Sequence, residues 1–317
     1  MSPKRQLRHE SYTVALICPL RVELSAARYM LDEEHAPLPQ NPHDENVYVL
    51  GSMCGHNVVI GSFPDGFMGL TPTAMIEAHL IRTFTEVELC LVVGIGGGIP
   101  STTTDIRLGD VVVSDPKGAL GGVVRHDCDH PTAERSDRKK YPSPPAPEWG
   151  PVLTKMQSDH RAWAPRIDEL ISEMFWRHPC LREQYTRPPS ASDVLFPKSY
   201  VHPRKGSTCA SCDKTMALSR SPRASPNTSQ VFFGLIVSGN SVIKNGVTRD
   251  EIEEKFKGAL CFEMEAAGVI SDLKCIIIRG IADYSDSHKN DDWHGYAAAA
   301  AAAMAKEMLT YVAPMSI

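Results

Sequence analysis

The sequence predicts an α/β protein whose central sheet is mainly parallel. Short apolar segments typical of buried strands alternate along the chain with segments that can form helices, which is the pattern of such sheets. One late apolar segment, Cys275 to Ile278, leads to the carboxylate of Asp283. Because α/β sheets bind ligands beyond the carboxyl ends of their strands, Asp283 is predicted to lie in a functional site.

Composition narrows the possible functions. The 317 residues suit one large domain or two small ones, and the net charge of −5 does not favour nucleic acid or a membrane surface as a partner. No apolar run has the roughly 20 residues of a membrane-spanning helix. Residues 1–10 are polar and basic, which predicts a flexible N-terminus and not a signal peptide. Nine cysteines, an odd number, indicate reduced thiols and a cytoplasmic location.

The first half of the chain supplies most of the predicted sheet. Its elements are a strand at 12–19, a helix at 22–33 with Glu23 in its first turn, a hairpin from 47–50 to 57–62, a helix at 73–84, and strands at 90–93 and 110–114. The strand at 90–93 runs into the glycine cluster Gly94 to Gly98. We therefore expect this cluster to lie at a strand end.

The second half contains a long excursion. Residues 128–230 are rich in Pro, Ser, Arg and His, and they are predicted to form an insertion, a candidate lid, with one helix at 166–176. A strand at 231–238 and a helix at 296–312 follow. Helix propensity explains the alanine run of that last helix. Residues 11–314 are thus predicted to form one domain that contains the insertion.

The glycine cluster has three interpretations. A dinucleotide fingerprint is not favoured, because Ile99 stands where G-x-G-x-x-G requires glycine. Glycines also allow a backbone to approach a small ligand closely, or a tight turn with positive φ. The last two interpretations remain open from the sequence.

Three carboxylates carry the functional signal. Glu263 and Glu265 surround Met264 and are predicted to open a helix, where solvated carboxylates are favoured by the helix dipole. Their apolar neighbours argue instead for burial, and buried carboxylates need hydrogen-bond partners such as ribose hydroxyls. Asp283 fits either a turn residue or a general acid.

His202, Cys209 and Cys212 suggest zinc, but one C-x-x-C and one histidine are short of the four ligands of a closed site. Cys180 or His178 would have to complete it. Local turn chemistry is the favoured explanation, so no metal and no other cofactor are predicted. The absence of a G-x-S-x-G motif disfavours a Ser/His/Asp hydrolase.

As a set, the motifs resemble the nucleoside phosphorylase and nucleosidase superfamily. The resemblance is greatest to methylthioadenosine/S-adenosylhomocysteine nucleosidases and to nucleosidase-like domains of fungal proteins, including immune-receptor-like chains. It covers residues 12–127 and 231–312 and implies a three-layer fold, a central mixed, twisted sheet flanked by helices. It rests on Leu16-Ile-Cys-Pro19, Val93-Gly-Ile-Gly-Gly-Gly98, Leu108-Gly-Asp-Val-Val-Val-Ser114, Gly234-Leu-Ile-Val-Ser-Gly-Asn240, Phe262-Glu-Met-Glu-Ala266 and Arg279-Gly-Ile-Ala-Asp283.

The resemblance also implies residue roles. Asp283 would protonate the purine N7, Glu265 would bind the ribose hydroxyls with Met264 packed on the sugar, and Glu23 and Glu263 would hold or activate water. Further substrate contacts are expected at Gly96, Gly97, Ser238, Asn240, Val242, Ile243, Phe262, Arg21, His288 and Lys289.

Two departures from the family pattern matter. Nucleosidases often have an aromatic residue where Val242 stands, so the base would stack on an aromatic residue of the insertion, with Tyr185, Phe196 and Tyr200 as candidates. Bacterial purine phosphorylases bind phosphate with an Arg and a Ser where Val92 and Ile95 stand here. Their absence favours water as the nucleophile, although Arg21 is a possible anion ligand.

The sequence therefore predicts a purine nucleosidase that needs no cofactor, acts on a nucleoside or nucleotide and forms a homo-oligomer. Three alternatives remain: a phosphate-dependent phosphorylase, a nucleosidase directed at AMP or ATP, and a non-catalytic nucleoside-binding module. Arg21, Arg125, His288 and Lys289 are the candidates for contacts with 5′-phosphates. The base, the 5′ substituent and the oligomeric state are not determined by the sequence.

Overall fold

The computed structural model describes residues 3–63, 69–116, 121–127, 149–204, 208–269 and 275–314. Ten strands in these ranges form one sheet. They are β1 (Val14–Cys18), β2 (Glu33–Glu34), β3 (Tyr48–Met53), β4 (His56–Ser62), β5 (Leu89–Gly98), β6 (Val111–Ser114), β7 (Val123–Arg125), β8 (Val231–Ser238), β9 (Ala259–Glu263) and β10 (Cys275–Asp283). The helices are α1 (Arg21–Met30), α2 (Leu70–Thr83), α3 (Trp149–Ala162), α4 (Ile167–Arg177), α5 (Arg182–Tyr185), α6 (Gly246–Lys255) and α7 (His294–Leu309).

Five of the strands close into a ring. β5 pairs with β10, β10 with β6, β6 with β8, β8 with β9, and β9 returns to β5. Four strands extend the sheet outward from β5. β1 pairs with β5 and β4, β4 also pairs with β3, and β3 also pairs with β2. Parallel pairings outnumber antiparallel ones, as predicted, and the sheet is mixed. The ring closes where Gly97 of β5 faces Phe262 of β9, which brings the ends of β5, β9 and β10 together.

The C-terminal helix α7 is buried along almost its whole length. Ala297 to Ala305 are inaccessible to solvent or nearly so, and α7 packs on β5, β10 and α1. A Cβ atom at Gly280 of β10 would clash with the carbonyl oxygen of Ala297. The alanine run therefore reflects close packing of a helix on the sheet, in addition to helix propensity.

Most predicted elements are present, with three differences. Glu263 is the last residue of β9, and in the described residues Glu265 precedes only a short 3-10 turn, Ala266–Gly268, so these carboxylates do not open an α-helix. The glycine cluster lies within β5 and not after it. Helix α3 was not predicted, because Gly150 and Pro151 in its first turn obscure the helical spacing of its buried apolar residues.

The excursion is partly helical and packs on the rest of the chain. Residues 128–148 of the predicted insertion lie outside the described residues. The predicted helix at 166–176 is α4, and it contacts α7. At the N-terminus, the amide of Ala36 donates to the carbonyl of Arg5 over 2.8 Å. The flexibility expected of residues 1–10 stays a prediction. Among the described residues, no helix is long and apolar enough to cross a membrane.

Candidate active site

A cavity of about 270 Å³ opens where β5, β9 and β10 end. Eleven of the fifteen predicted site residues line it: Glu23, Gly96, Gly97, Val242, Ile243, Phe262, Glu263, Met264, Glu265, Asp283 and Lys289. They come from five separate parts of the sequence. Closure of the strand ring is what brings them together, because it places the end of β9 between β5 and β8.

Arg279 is the cation at the centre of the acidic side of the cavity. Its side chain is fully buried, and its Nη2 lies 2.6 Å from Glu263 Oε2 and 3.3 Å from Glu265 Oε2. Glu23 is a third carboxylate close enough to influence this guanidinium electrostatically. One buried cation is thus shared among three buried carboxylates, an arrangement that leaves excess negative charge in a site of low dielectric.

Glu263 has one carboxylate oxygen fixed and one available. Oε2 accepts hydrogen bonds from the amides of Glu265 at 3.0 Å and Ala266 at 2.8 Å, and from Arg279. Oε1 is buried and has no hydrogen-bond partner among the described residues. Since buried polar atoms are nearly always paired, this oxygen stands out as an acceptor that the described residues leave without a donor.

Glu23 and Glu265 both have raised pKa values. Burial raises the pKa of Glu23 to about 7, with Arg279 opposing and Glu265 adding to the shift. Two amides hold the Glu23 carboxylate, Leu20 at 2.6 Å and Ile95 at 2.7 Å. Burial likewise raises the pKa of Glu265 to about 6, against the influence of Arg279. A carboxylate with a pKa near 7 suits proton transfer at neutral pH.

The glycines of β5 provide room for these side chains. A Cβ atom at Gly94 would lie 2.5 Å from Glu23 Oε1 and closer still to Arg279, and one at Gly97 would lie 2.8 Å from Asp283 Oδ1. None of the glycines in the cluster has positive φ. The tight-turn interpretation is therefore wrong. The glycines make room for side chains of the protein itself, and close approach to a small ligand stays a prediction.

Asp283 is held at the last position of β10. Its Oδ1 accepts the amide of Ser285 at 2.8 Å, and Lys289 Nζ donates to its Oδ2. Ser285 has a φ of 54°, so the chain turns sharply directly after the strand. This turn brings Lys289 back over the strand end, where it pairs with a carboxylate that is only 5% exposed.

Four predicted site residues do not line the cavity. Ser238 Oγ accepts the amide of Ala267, and Asn240 Oδ1 accepts the amide of Leu70, so both act on the backbone around the site. Arg21 is exposed at the start of α1. His288 lies in a second cavity of about 300 Å³ that borders Asp283 from another side.

The candidates for base stacking are also elsewhere. Phe196 and Tyr200 stack on His288 with ring centroids 4.2 and 5.5 Å away, and Tyr185 donates its hydroxyl to the carbonyl of Val22. Among the described residues, Phe262 is the one phenylalanine, tyrosine or tryptophan that lines the cavity. The aromatic side chain therefore comes from β9 and not from the described part of the insertion.

Three basic residues at or beside this cavity were missed in the sequence. Arg279, which pairs with two of the lining carboxylates, interrupts a largely apolar strand, and such an isolated charge is a signal that could have found it. His294, the first residue of α7, and Lys244 line the cavity. Burial, and then Lys289, lowers the pKa of His294, which favours a neutral imidazole. No local pattern singles out the last two residues.

Comparison with known proteins agrees with this architecture. Residues 13–162 match the family model of the phosphorylase superfamily. A nucleotide-binding leucine-rich repeat (NLR)-like protein of Hyaloscypha variabilis is 38% identical over 312 residues, which are 98% of this chain but only 30% of that protein. The chain thus spans less than a third of this relative.

The fold resembles solved methylthioadenosine/S-adenosylhomocysteine nucleosidases. The enzyme of Neisseria meningitidis, in complex with methylthio-immucillin-A, superposes with a TM-score of 0.57 at 18% identity, over 95% of this chain and 99% of that one. The enzyme of Streptococcus pneumoniae with 8-aminoadenine gives 0.58 at 16% identity, over 95% and 100%. Residues 13–162 thus match the phosphorylase superfamily, and the chain shares the fold of these nucleosidases over 95% of its length.

Proposed function

We propose that this chain is a purine nucleosidase, which hydrolyses the N-glycosidic bond of purine ribonucleosides, deoxyribonucleosides or nucleotides to free base and sugar. The main observation in support is that four carboxylates, those of Glu23, Glu263, Glu265 and Asp283, line one cavity. Glu23 lies beside Gly94 and Asp283 beside Gly97. At about 3.3 Å per strand residue, Gly94 and Gly97 are about 10 Å apart along β5, so the two carboxylates lie at different points of the cavity. We assign the sugar to the side of Glu23 and the base to the side of Asp283.

The acidic side of the cavity suits the sugar in the transition state. Cleavage of the C1′–N9 bond leaves positive charge on the ribose, and nearby fixed carboxylates stabilise that charge. Glu265 would accept hydrogen bonds from the ribose hydroxyls, with Met264 packed against the sugar. The unpaired Oε1 of Glu263 and the Glu23 carboxylate would orient the attacking water and take its proton.

The same charges favour water over phosphate as the nucleophile. Three carboxylates share one guanidinium here, and that guanidinium is already paired with Glu263 and Glu265. A phosphate anion would enter a site with excess negative charge and be repelled. Arg21, the candidate phosphate ligand, does not line the cavity. Hydrolysis is therefore preferred to phosphorolysis.

Asp283 and Lys289 would act on the leaving base. The purine accumulates negative charge as the bond breaks, and protonation of N7 neutralises it. Lys289 Nζ donates to Asp283 Oδ2, so a proton can pass from the ammonium through the carboxyl group to N7. A positioned general acid is worth about 10²–10⁴ in rate.

Purine specificity rests on the fold relatives, whose bound ligands are methylthio-immucillin-A and 8-aminoadenine. A nucleotide substrate is the second candidate, because Lys244 lines the cavity from an exposed position where it can meet a 5′-phosphate. Of the four cations predicted for such a phosphate, Lys289 lines the cavity but is paired with Asp283. The cytoplasmic location and the homo-oligomer stay predictions.

The test is release of free base from adenosine, inosine, guanosine, methylthioadenosine, AMP and ATP, each with and without phosphate. The proposal predicts release without phosphate. The Asp283→Asn variant should lose about 10²-fold or more in kcat, as expected for loss of a general acid. Asp292→Asn, an exposed carboxylate outside this cavity, is the matched control and should be unaffected.

Two outcomes would contradict the proposed hydrolysis, and a third would narrow its substrate. Release that requires phosphate and yields a sugar 1-phosphate would establish a phosphorylase. Purine binding without any turnover, unchanged by Asp283→Asn, would establish a non-catalytic binding module. Turnover of AMP and ATP alone, lost on Lys244→Ala, would assign the nucleotide-directed activity.

A further inference from the structure

Three potential metal ligands meet in the excursion, outside the carboxylate cavity. The ligand atoms of His202, Cys209 and Cys212 all lie within 4.8 Å of one another. In a tetrahedral zinc site, with Zn–S near 2.3 Å and Zn–N near 2.0 Å, neighbouring ligand atoms are about 3.3–3.8 Å apart. The three groups therefore need to approach by only about 1 Å to bind one ion.

A tight turn and local burial bring these side chains together. A 3-10 turn, Cys209–Ser211, lets the amide of Cys212 donate to the carbonyl of Cys209 over 3.2 Å, and this turn brings the two thiols together. Of the described residues from 201 to 216, His202 and Cys212 are the ones that are buried, and Cys209 is half-buried. A segment with so little apolar packing needs another source of stability, such as a metal.

The imidazole of His202 lacks a partner on one side. Its Nδ1 accepts the amide of Arg204 at 3.1 Å, while Nε2 is buried without a hydrogen-bond partner among the described residues. A neutral imidazole that accepts at Nδ1 carries its proton on Nε2, so a buried donor is left unsatisfied. Coordination through Nε2 requires the other neutral tautomer, in which the single ring proton sits on Nδ1, so the Arg204 amide would have to give up its hydrogen bond to Nδ1.

We propose that His202, Cys209 and Cys212 bind one zinc ion, with water in the fourth position. Two thiolates and an imidazole are a ligand set that suits zinc, and two thiolates neutralise its charge. This proposal departs from the sequence-based preference for local turn chemistry, which is the alternative that the test below distinguishes. Cys180 and His178, considered for the fourth position, do not belong to the described cluster.

The zinc ion would fasten the excursion to the loop that follows Asp283. Cys209 Sγ lies 3.8 Å from the carbonyl oxygen of His288 and 3.7 Å from Asn290 Nδ2. The amide of His202 donates to Ser287 Oγ over 3.0 Å. This loop also carries Lys289, so the metal would act as a positioning element for the lysine that contacts Asp283.

Metal analysis of the purified full chain tests the proposal. We expect one zinc per chain by elemental mass spectrometry, and less than a tenth of that in Cys212→Ser and in Cys209→Ser. Cys180→Ser, which removes an exposed thiol outside the cluster, should retain the metal. Replacement of zinc by cobalt in the unmodified chain should produce thiolate-to-cobalt charge-transfer absorption, a readout that does not depend on the folding of any variant.

Two results would overturn the proposal. One is a chain purified with zinc in the medium that contains no metal and gives no charge-transfer band with cobalt. The other is a Cys209–Cys212 disulfide, detected by mass spectrometry in chain purified under reducing conditions, because oxidised sulfurs do not provide the thiolate ligands.

Discussion

Arg279→Met removes the one cation that the three buried carboxylates Glu23, Glu263 and Glu265 share. The guanidinium is fully buried and lies 2.6 Å from Glu263 and 3.3 Å from Glu265. Removal of one partner from a buried ion pair costs about 3–5 kcal/mol, because the remaining charge is left uncompensated. Against a total stability of about 5–15 kcal/mol, this loss should lower the denaturant midpoint substantially.

The loss should depend on pH. Arg279 lowers the pKa of Glu23, which is already raised to about 7 by burial, so its removal raises that pKa further. The folded variant then binds more protons than the unfolded chain, and its stability falls as pH rises. The stabilising effect of protonation is complete below the unfolded pKa near 4.5 and is lost as pH rises through about 7 and above. Acidification from about pH 8 to about pH 6 should therefore partly rescue the variant.

Urea unfolding followed by circular dichroism at both pH values measures the effect. Arg166→Met is the matched control, because Arg166 pairs with Glu169 on the surface, and exposed pairs contribute about 0–1 kcal/mol. If Arg279→Met costs no more than the control, or if its loss grows on acidification, the reasoning about a shared buried cation is refuted.

Three further predictions concern the cavity. Because the pKa of Glu23 is about 7, kcat/KM for base release should rise with pH through that value, and Glu23→Gln should abolish the rise. If the rise persists in Glu23→Gln, another group is responsible for it. Gly94→Ala should lower the free energy of unfolding in urea by about 1–3 kcal/mol, because its Cβ atom would overlap buried charged side chains. Gly150→Ala is the control, because a Cβ atom there has no other atom within 4 Å, and it should not destabilise the protein. Equal effects of the two substitutions would show that β5 adjusts freely. Lys289→Met should lower kcat toward the value of Asp283→Asn and should also lower the thermal midpoint, because it leaves the buried Asp283 carboxylate uncompensated. An unchanged kcat would exclude a proton path through this lysine.

Hydrophobic patterning explains how much of the fold is predictable. Strands such as β1 and β8 are apolar runs bounded by turn residues, and α4 has apolar residues at helical spacing, so local sequence is sufficient for them. Helix α3 and the boundary of β5 were not predictable in this way. Proline and glycine have local preferences that suggest turns, and in both places tertiary packing overrides those preferences.

The sequence by itself determined the alternation of strands and helices, because this depends on residue type and spacing. Its resemblance to a known superfamily predicted eleven of the residues that line the cavity. The tertiary structure decided the rest. Arg279 becomes the partner of Glu263 and Glu265 only when the strand ring closes, since β9 and β10 are not neighbours in the sheet order and meet through β5. Burial then raises the pKa of Glu23, a property of the assembled site that no single segment contains.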